Sequence, residues 1–188
     1  MGREIRRVPA NWQHPQKPEP NRVGMTAYQP MYDETFADAA RKWKEEFAAW
    51  ERGERPDYFV GSKYDPDLQY WEWDVSPPDR AYYRTYSDDE ATWFQVYETV
   101  TEGTPVTPPF ETEEALIEYL VAHGTWSDEY ARRAGWETGP PGWPREAAES
   151  FVKARYAPSM VVDARGVHTA RDPEMYAQRE RPDGQEGG

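Results

Sequence analysis

The residues best suited to chemistry in this sequence are pairs of carboxylates. Glu72 with Asp74, and Asp88 with Glu90, have the side chains that serve as general acid and base or that hold Mg²⁺. Such pairs arise by chance in a chain with 35 acidic residues, and a solvated face explains each of them better. The sequence also has no nucleophile motif and no phosphate-binding loop. We therefore assign no catalytic residue, and enzymatic activity has no support.

Histidine and cysteine give no metal site. His14, His123 and His168 are far apart in the sequence, and none has a partner at helical spacing that would form half of a metal site. The chain has no cysteine, which excludes disulfides and thiolate ligands. We expect neither a metal nor a cofactor.

Acidic residues dominate one long window of the chain. Between Arg84 and Arg132 there is no Lys or Arg, while eleven carboxylates account for much of the net charge of −13. A cation-free surface suits a partner with a basic surface and argues against direct nucleic-acid or membrane binding. We look first at the loop 101–114. The predicted partner-binding residues are Glu102, Glu111, Glu113, Glu114 and Glu118.

Aromatic residues form the second notable pattern. The chain has nine Trp, thirteen Tyr and six Phe but few Leu and Ile, so its core must be built largely from rings, Ala and Val. Many rings and two arginines fall between residues 70 and 93. We favour a role for them in the core, and the alternative is a groove that stacks a nucleobase and pairs with phosphate. The ligand-binding residues in that alternative are Trp71, Trp73, Arg80, Tyr82, Tyr83, Arg84 and Trp93.

Helical spacing and turn signals predict the first elements that position these residues. Phe36, Ala40, Trp43, Phe47 and Trp50 recur every three or four residues, which predicts a helix over 33–52. Alternation from Tyr70 to Val75 predicts a short strand, with a second extended segment at 82–84.

The segment from Ser87 to Gly124 carries the clearest local signals. It predicts a helical turn near 88–92 and a strand to about Val100. Next come a turn at 102–105 and a helix that begins after Thr112 and ends at Gly124.

Later signals complete a single small α+β domain. Ser127 predicts the cap of a short helix to Arg133, and Pro144 predicts the first position of a helix through Ala154. A hairpin is expected over 159–169. We predict a basic extended arm over 1–30, a globular domain over 31–170 and a disordered tail over 171–188. The domain would have about four helices packed on a short antiparallel sheet. No apolar run approaches the ~20 residues of a membrane span.

Four segments of the chain support a resemblance. They read MGREIRRVP, YWEWDVSPPDRAYYR, EATWFQVYETVTEGTPVTPPFETEEALIEYLVAHG and WPREAAESFVKARYAPSM. Together they resemble a family of small, uncharacterised proteins encoded by tailed bacteriophages and prophages, over most of residues 1–170. This chain has Trp143-Pro144 where that family has Trp-Ser. The resemblance implies phage origin and a location in the host bacterial cytoplasm, and it implies no activity or catalytic residues.

Three functions follow as hypotheses. The first is a non-enzymatic acidic accessory protein that binds a host protein with a basic surface, such as a component of a defence system. The second is a small-ligand or nucleotide-binding protein, a sponge for a signal, that uses the ring cluster between residues 70 and 93. The third is a virion or assembly component. The sequence does not give the oligomeric state.

Overall fold

A computed structural model describes residues 2–19, 24–56, 67–73, 76–99, 103–135, 139–158, 160–164, 166–173 and 176 of the chain. The chain divides into two compact units, the first made of Met1–Pro30 with Tyr86–Gly188 and the second of Met31–Thr85. Each unit contains helices and strands, and the sheet at the centre of the first unit is antiparallel. The predicted α+β class is confirmed.

Ten strands and five α-helices are present in the described part of the chain, with one 3₁₀ turn at Arg80–Tyr82. The strands are β1 (Arg3–Pro9), β2 (Gln16–Pro18), β3 (Thr26–Tyr28), β4 (Tyr32–Thr35), β5 (Tyr83–Arg84), β6 (Ala91–Glu98), β7 (Thr104–Pro105), β8 (Tyr156–Ala157), β9 (Met160–Asp163) and β10 (Gly166–Thr169). The α-helices are α1 (Phe36–Glu51), α2 (Tyr70–Trp73), α3 (Glu113–His123), α4 (Trp126–Arg133) and α5 (Arg145–Ala154).

The central sheet of the first unit has the order β7-β6-β1-β8. Its longest pairing joins β1 to β6, with Ile5 opposite Val96. Residues 3–9 of the predicted basic extended arm therefore form an inner strand of this sheet. The basic residues concealed this role in the sequence. The Arg6 side chain is buried. Its guanidinium lies 4.5 Å from the ring centroid of Tyr97 and forms an ion pair with Glu4 at 2.6 Å.

The main core lies between this sheet and the helices α3 and α5. Leu116, Leu120 and Phe151 are fully buried there. Helix α3 begins and ends as predicted. The Thr112 hydroxyl accepts a hydrogen bond from the Ala115 amide at 3.1 Å, and Gly124 has a φ of 70°, which favours glycine.

Two predicted helix starts are displaced. Thr125, not Ser127, caps α4, because its hydroxyl accepts from the Asp128 amide and the Asp128 carboxylate accepts in return from the Thr125 amide. The Ser127 hydroxyl instead donates to Glu98. Pro144 is the residue before α5 rather than its first residue.

The C-terminal part of the first unit contains the predicted hairpin and an unexpected core contact. Strands β9 and β10 pair antiparallel, so the hairpin is confirmed. Within the predicted tail, residues 171–173 and Tyr176 have described positions. The Tyr176 ring is buried in the main core, and its hydroxyl donates to the Ala170 carbonyl at 2.9 Å. The rest of the predicted tail lies outside the described residues.

The second unit is built around α1. Thr35 caps this helix, and the Trp43 and Phe47 rings stack with centroids 5.2 Å apart. The Tyr70 ring packs edge-on against both of them and is buried. The strand predicted from Tyr70 is wrong over 70–73, which form α2, and residues 74–75 lie outside the described ones. The Glu72 carboxylate accepts from the Gln69 amide at 3.0 Å and so favours the helical turn.

Candidate functional site

The described residues of the predicted partner-binding set lie on α3 or just before it. Glu113, Glu114 and Glu118 lie on the helix, and their side chains are 45%, 68% and 56% exposed. Glu111 is exposed just before the helix begins. Glu102 lies outside the described residues. The fold therefore brings four of the five predicted carboxylates to one stretch of surface.

Helix α5 adds charges that the sequence window did not contain. The Arg145 guanidinium lies within ion-pair distance of three carboxylates, at 2.5 Å from Glu118, 3.5 Å from Glu114 and 3.6 Å from Glu149. Arg155, at the C-terminal end of α5, pairs with Glu113. The segment between Arg84 and Arg132 contains no Lys or Arg, but Arg145 and Arg155 from the α5 region lie beside its carboxylates.

We define the acidic face as the charged surface of α3 and α5, with Glu111 two residues before α3 and Arg155 directly after α5. Six carboxylates and three cations belong to it, which leaves three negative charges unbalanced. Its members are Glu111, Glu113, Glu114, Glu118, Arg145, Glu146, Glu149, Lys153 and Arg155. The hydrogen bond from Arg145 and the charge of that guanidinium lower the pKa of Glu118. This carboxylate therefore stays ionised at neutral pH.

The described part of the loop 101–114 packs against the sheet up to Phe110 and reaches the surface at Glu111. Thr107 is fully buried, and its hydroxyl accepts from the Val96 amide at 3.1 Å. Phe110 exchanges two backbone hydrogen bonds with Phe94 on β6. Residues 103–110 thus lie along the edge of the sheet, and residues 101–102 lie outside the described ones.

The ring cluster of the alternative hypothesis is divided between the two units. Trp93 lies on β6 in the first unit, where it packs against the small core of Val8 and Tyr97. The other members belong to the second unit. Among these, Arg80 places its guanidinium 4.1 Å from the Phe36 ring centroid.

The remaining cluster members differ in exposure. The Tyr83 ring meets the Phe36 ring edge-on. Trp71 is 51% exposed. Tyr82 and Arg84 are half-buried, and the Trp73 side chain is outside the described part.

The sequence interpretation missed the α5 residues of the acidic face. A signal for part of them was available, because placing Ala148, Phe151 and Val152 inward turns Glu149 and Lys153 outward on the same helix. The contact of α5 with α3 depends on tertiary packing, and no local pattern contains it.

A recess of about 650 Å³ lies beside the loop that joins α4 to α5. Its walls include Val121, Trp143 and Arg171. The Arg171 guanidinium donates to the carbonyls of Pro140 and Gly142, at 2.9 and 3.2 Å. This cation is engaged in holding the loop, so we do not assign a ligand to the recess.

Within the described residues, no cluster of three or more His, Asp or Glu side chains has an arrangement that could hold a metal ion. The described helices are all too short or too polar to cross a membrane. Comparison of the chain with known protein families, curated proteins and solved structures finds no match.

Proposed function

We propose that this chain is a non-enzymatic binding protein that holds a protein partner with a basic surface against the acidic face. The observation that carries the proposal is the sharing of one guanidinium, that of Arg145, by three carboxylates. One positive charge cannot neutralise three negative ones, so the face keeps a local excess of negative charge that a cationic surface can complement.

The charges of the acidic face do little for folding. Exposed ion pairs stabilise proteins by about 0–1 kcal/mol each. Glu114 and Glu118 are four residues apart on α3, where two like charges destabilise a helix by about 0.2–0.5 kcal/mol. An arrangement that contributes so little stability is better explained by binding, because an unbalanced field speeds the encounter with an oppositely charged partner.

The class of partner is inferred from the phage resemblance. A phage protein acts inside a bacterial host, so a host protein with a cationic surface is the partner that we propose, and a nucleic-acid-binding component of a defence system is one such protein. The acidic face would occupy the cationic groove by charge complementarity, without chemistry.

Affinity capture from bacterial lysate tests the proposal. The bait variants are wild type, a face variant with Glu114, Glu118 and Glu149 changed to Gln, and a control variant with Glu45, Glu51 and Glu54 changed to Gln. The control removes the same charge from exposed positions of the second unit. We expect wild type and control to retain a common protein at low salt, and the face variant to lose it.

Salt provides an independent readout of the same experiment. At about 1 M salt the Debye length falls to roughly 3 Å, so retention of the partner by the wild-type bait should fall sharply. Equal retention by the face variant and the control would refute the proposed surface, and so would the absence of any retained protein at low salt.

A further inference from the structure

A second recess lies between α3 and α4 in the first unit, with a volume of about 340 Å³. Tyr119 and His123 line it from α3, and Trp126, Glu129 and Arg132 line it from α4. Small-molecule sites have volumes of about 300–1,000 Å³. The recess, which we call the α3–α4 cleft, therefore has room for one small planar ligand.

The rings of the α3–α4 cleft are held in place by other rings. Tyr119 and His123 lie with centroids 4.9 Å apart. Trp126 stacks on Tyr28 with an interplanar angle of 7° and a centroid distance of 5.8 Å. Rings fixed in this way offer preorganised aromatic surface at little entropic cost to a ligand.

The Tyr119 hydroxyl is a hydrogen-bond donor at neutral pH. Burial raises its pKa, the Glu129 charge acts in the same direction, and a hydrogen bond with the Trp126 side chain acts in the opposite direction. The neutral hydroxyl has a proton that it can donate to a ligand.

Arg132 supplies the charge of the α3–α4 cleft. Its side chain is half-buried, and it forms no ion pair or side-chain hydrogen bond with the described residues. The nearby Glu129 carboxylate pairs instead with Arg133. A guanidinium without an ion pair to the described residues is notable in a chain with a net charge of −13, because acidic side chains are abundant. Its planar fork matches a carboxylate or a phosphate.

We propose that the α3–α4 cleft binds a small planar aromatic molecule that carries an anionic group. The ring of the ligand would contact Tyr119 and Trp126, and its anion would pair with Arg132. This site is distinct from the acidic face, and its existence does not depend on a protein partner.

Titration calorimetry on the full chain tests the site with defined probes. Adenosine monophosphate and indole-3-acetate present a phosphate and a carboxylate, and adenosine and indole-3-ethanol are their uncharged counterparts. Inorganic phosphate and acetate present the anion alone. We expect one aromatic anion to bind, and its identity distinguishes phosphate from carboxylate. We expect the uncharged counterpart and the bare anion each to bind at least about tenfold more weakly, because each lacks one of the two contacts.

Two variants locate the bound molecule. Arg132→Gln should weaken binding by about ten- to a hundredfold, since it removes a charge-assisted hydrogen bond. Arg41→Gln removes the same charge from an exposed position of the second unit and should leave binding unchanged. The proposal is overturned if neither aromatic anion binds at millimolar concentration, if the bare anion binds equally well, or if the two variants bind alike.

Discussion

Arg3 and Asp128, which are 125 residues apart in the chain, form an ion pair with 2.8 Å between Nη2 and Oδ1. Both are largely buried, at 18% and 3% side-chain exposure. The other Asp128 oxygen accepts from the Trp143 indole at 2.7 Å and from the Thr125 amide and hydroxyl at 2.8 Å. One carboxylate therefore joins β1, α4 and the segment that leads into α5.

Replacing this carboxylate should destabilise the first unit strongly. Asp128→Asn leaves the Arg3 guanidinium buried without a counter-charge, and breaking a buried pair in this way costs about 3–5 kcal/mol. Glu149→Gln, at a 52% exposed carboxylate of the same unit, should cost less than about 1 kcal/mol. Urea unfolding of both variants measures the difference. If Asp128→Asn lowers the free energy of unfolding as little as Glu149→Gln does, the stabilising role assigned to Asp128 is contradicted.

The same carboxylate should make the protein sensitive to strong acid. Burial opposes ionisation of Asp128, but the Arg3 charge and the hydrogen bonds from Thr125 and Trp143 outweigh it and lower its pKa below 3.8. The folded state therefore holds this proton less tightly than the unfolded state does. The stabilisation is complete above about pH 4 and is lost as pH falls through the folded-state pKa. The loss of stability between pH 5 and pH 2 should be smaller in Asp128→Asn than in wild type.

His14 should titrate below its ordinary range. Burial lowers its pKa from 6.5 and the Arg6 charge adds to this, while the hydrogen bond to the Gln29 carbonyl opposes it. Nε2 lies 2.6 Å from that carbonyl oxygen and so carries the proton, and Nδ1 lies 3.1 Å from the Tyr97 hydroxyl. Since the unfolded chain binds this proton more readily, stability falls as pH drops below 6.5. Proton NMR gives the titration midpoint, with His14→Gln to assign the signal. A midpoint at or above 6.5 would rule out this explanation.

Gly142 should tolerate no side chain. A Cβ at this position would lie 1.7 Å from the Val121 carbonyl oxygen, a backbone atom of α3 that cannot move aside. We expect Gly142→Ala to cost at least about 3 kcal/mol, at the upper end of overpacking effects. Gly135 has a φ of 75° and open space around it, so Gly135→Ala should cost only about 1 kcal/mol, from backbone strain. Thermal unfolding compares the two, and similar melting temperatures would contradict the close approach.

The charge of the acidic face should be separable from stability. Changing Glu114, Glu118 and Glu149 to Gln should alter the free energy of unfolding by less than about 1 kcal/mol, because all three are exposed. Urea unfolding of this face variant checks the claim. A larger loss would mean that the carboxylates serve the fold, and lost binding could then not be assigned to the surface.

Local signals predicted the elements whose causes are local. Thr112 and Gly124 bound α3 as expected, because a cap hydroxyl and a left-handed glycine act within a few residues. The displaced cap at Thr125 shows the limit of such signals, since Ser127 lies two residues away and only the Asp128 carboxylate distinguishes the two.

Tertiary contacts explain what the sequence did not predict. We predicted a basic arm for residues 3–9 because the Tyr97 ring that covers Arg6 is far away in the chain. We predicted a cation-free surface for the segment between Arg84 and Arg132 because Arg145 reaches Glu118 only after α5 packs on α3. Both errors concern charged side chains whose neighbours come from distant segments, and such neighbours depend on the whole fold.

Carboxyl labelling of a captured complex tests the central claim most directly. A water-soluble carbodiimide modifies exposed carboxylates, and mass spectrometry reads the extent at each residue with and without the bound partner. We predict that labelling of Glu114, Glu118 and Glu149 falls in the complex, while labelling of Glu45 and Glu54 in the second unit does not change. Unchanged labelling of the three acidic-face carboxylates in a complex that forms would contradict the claim that this face binds the partner.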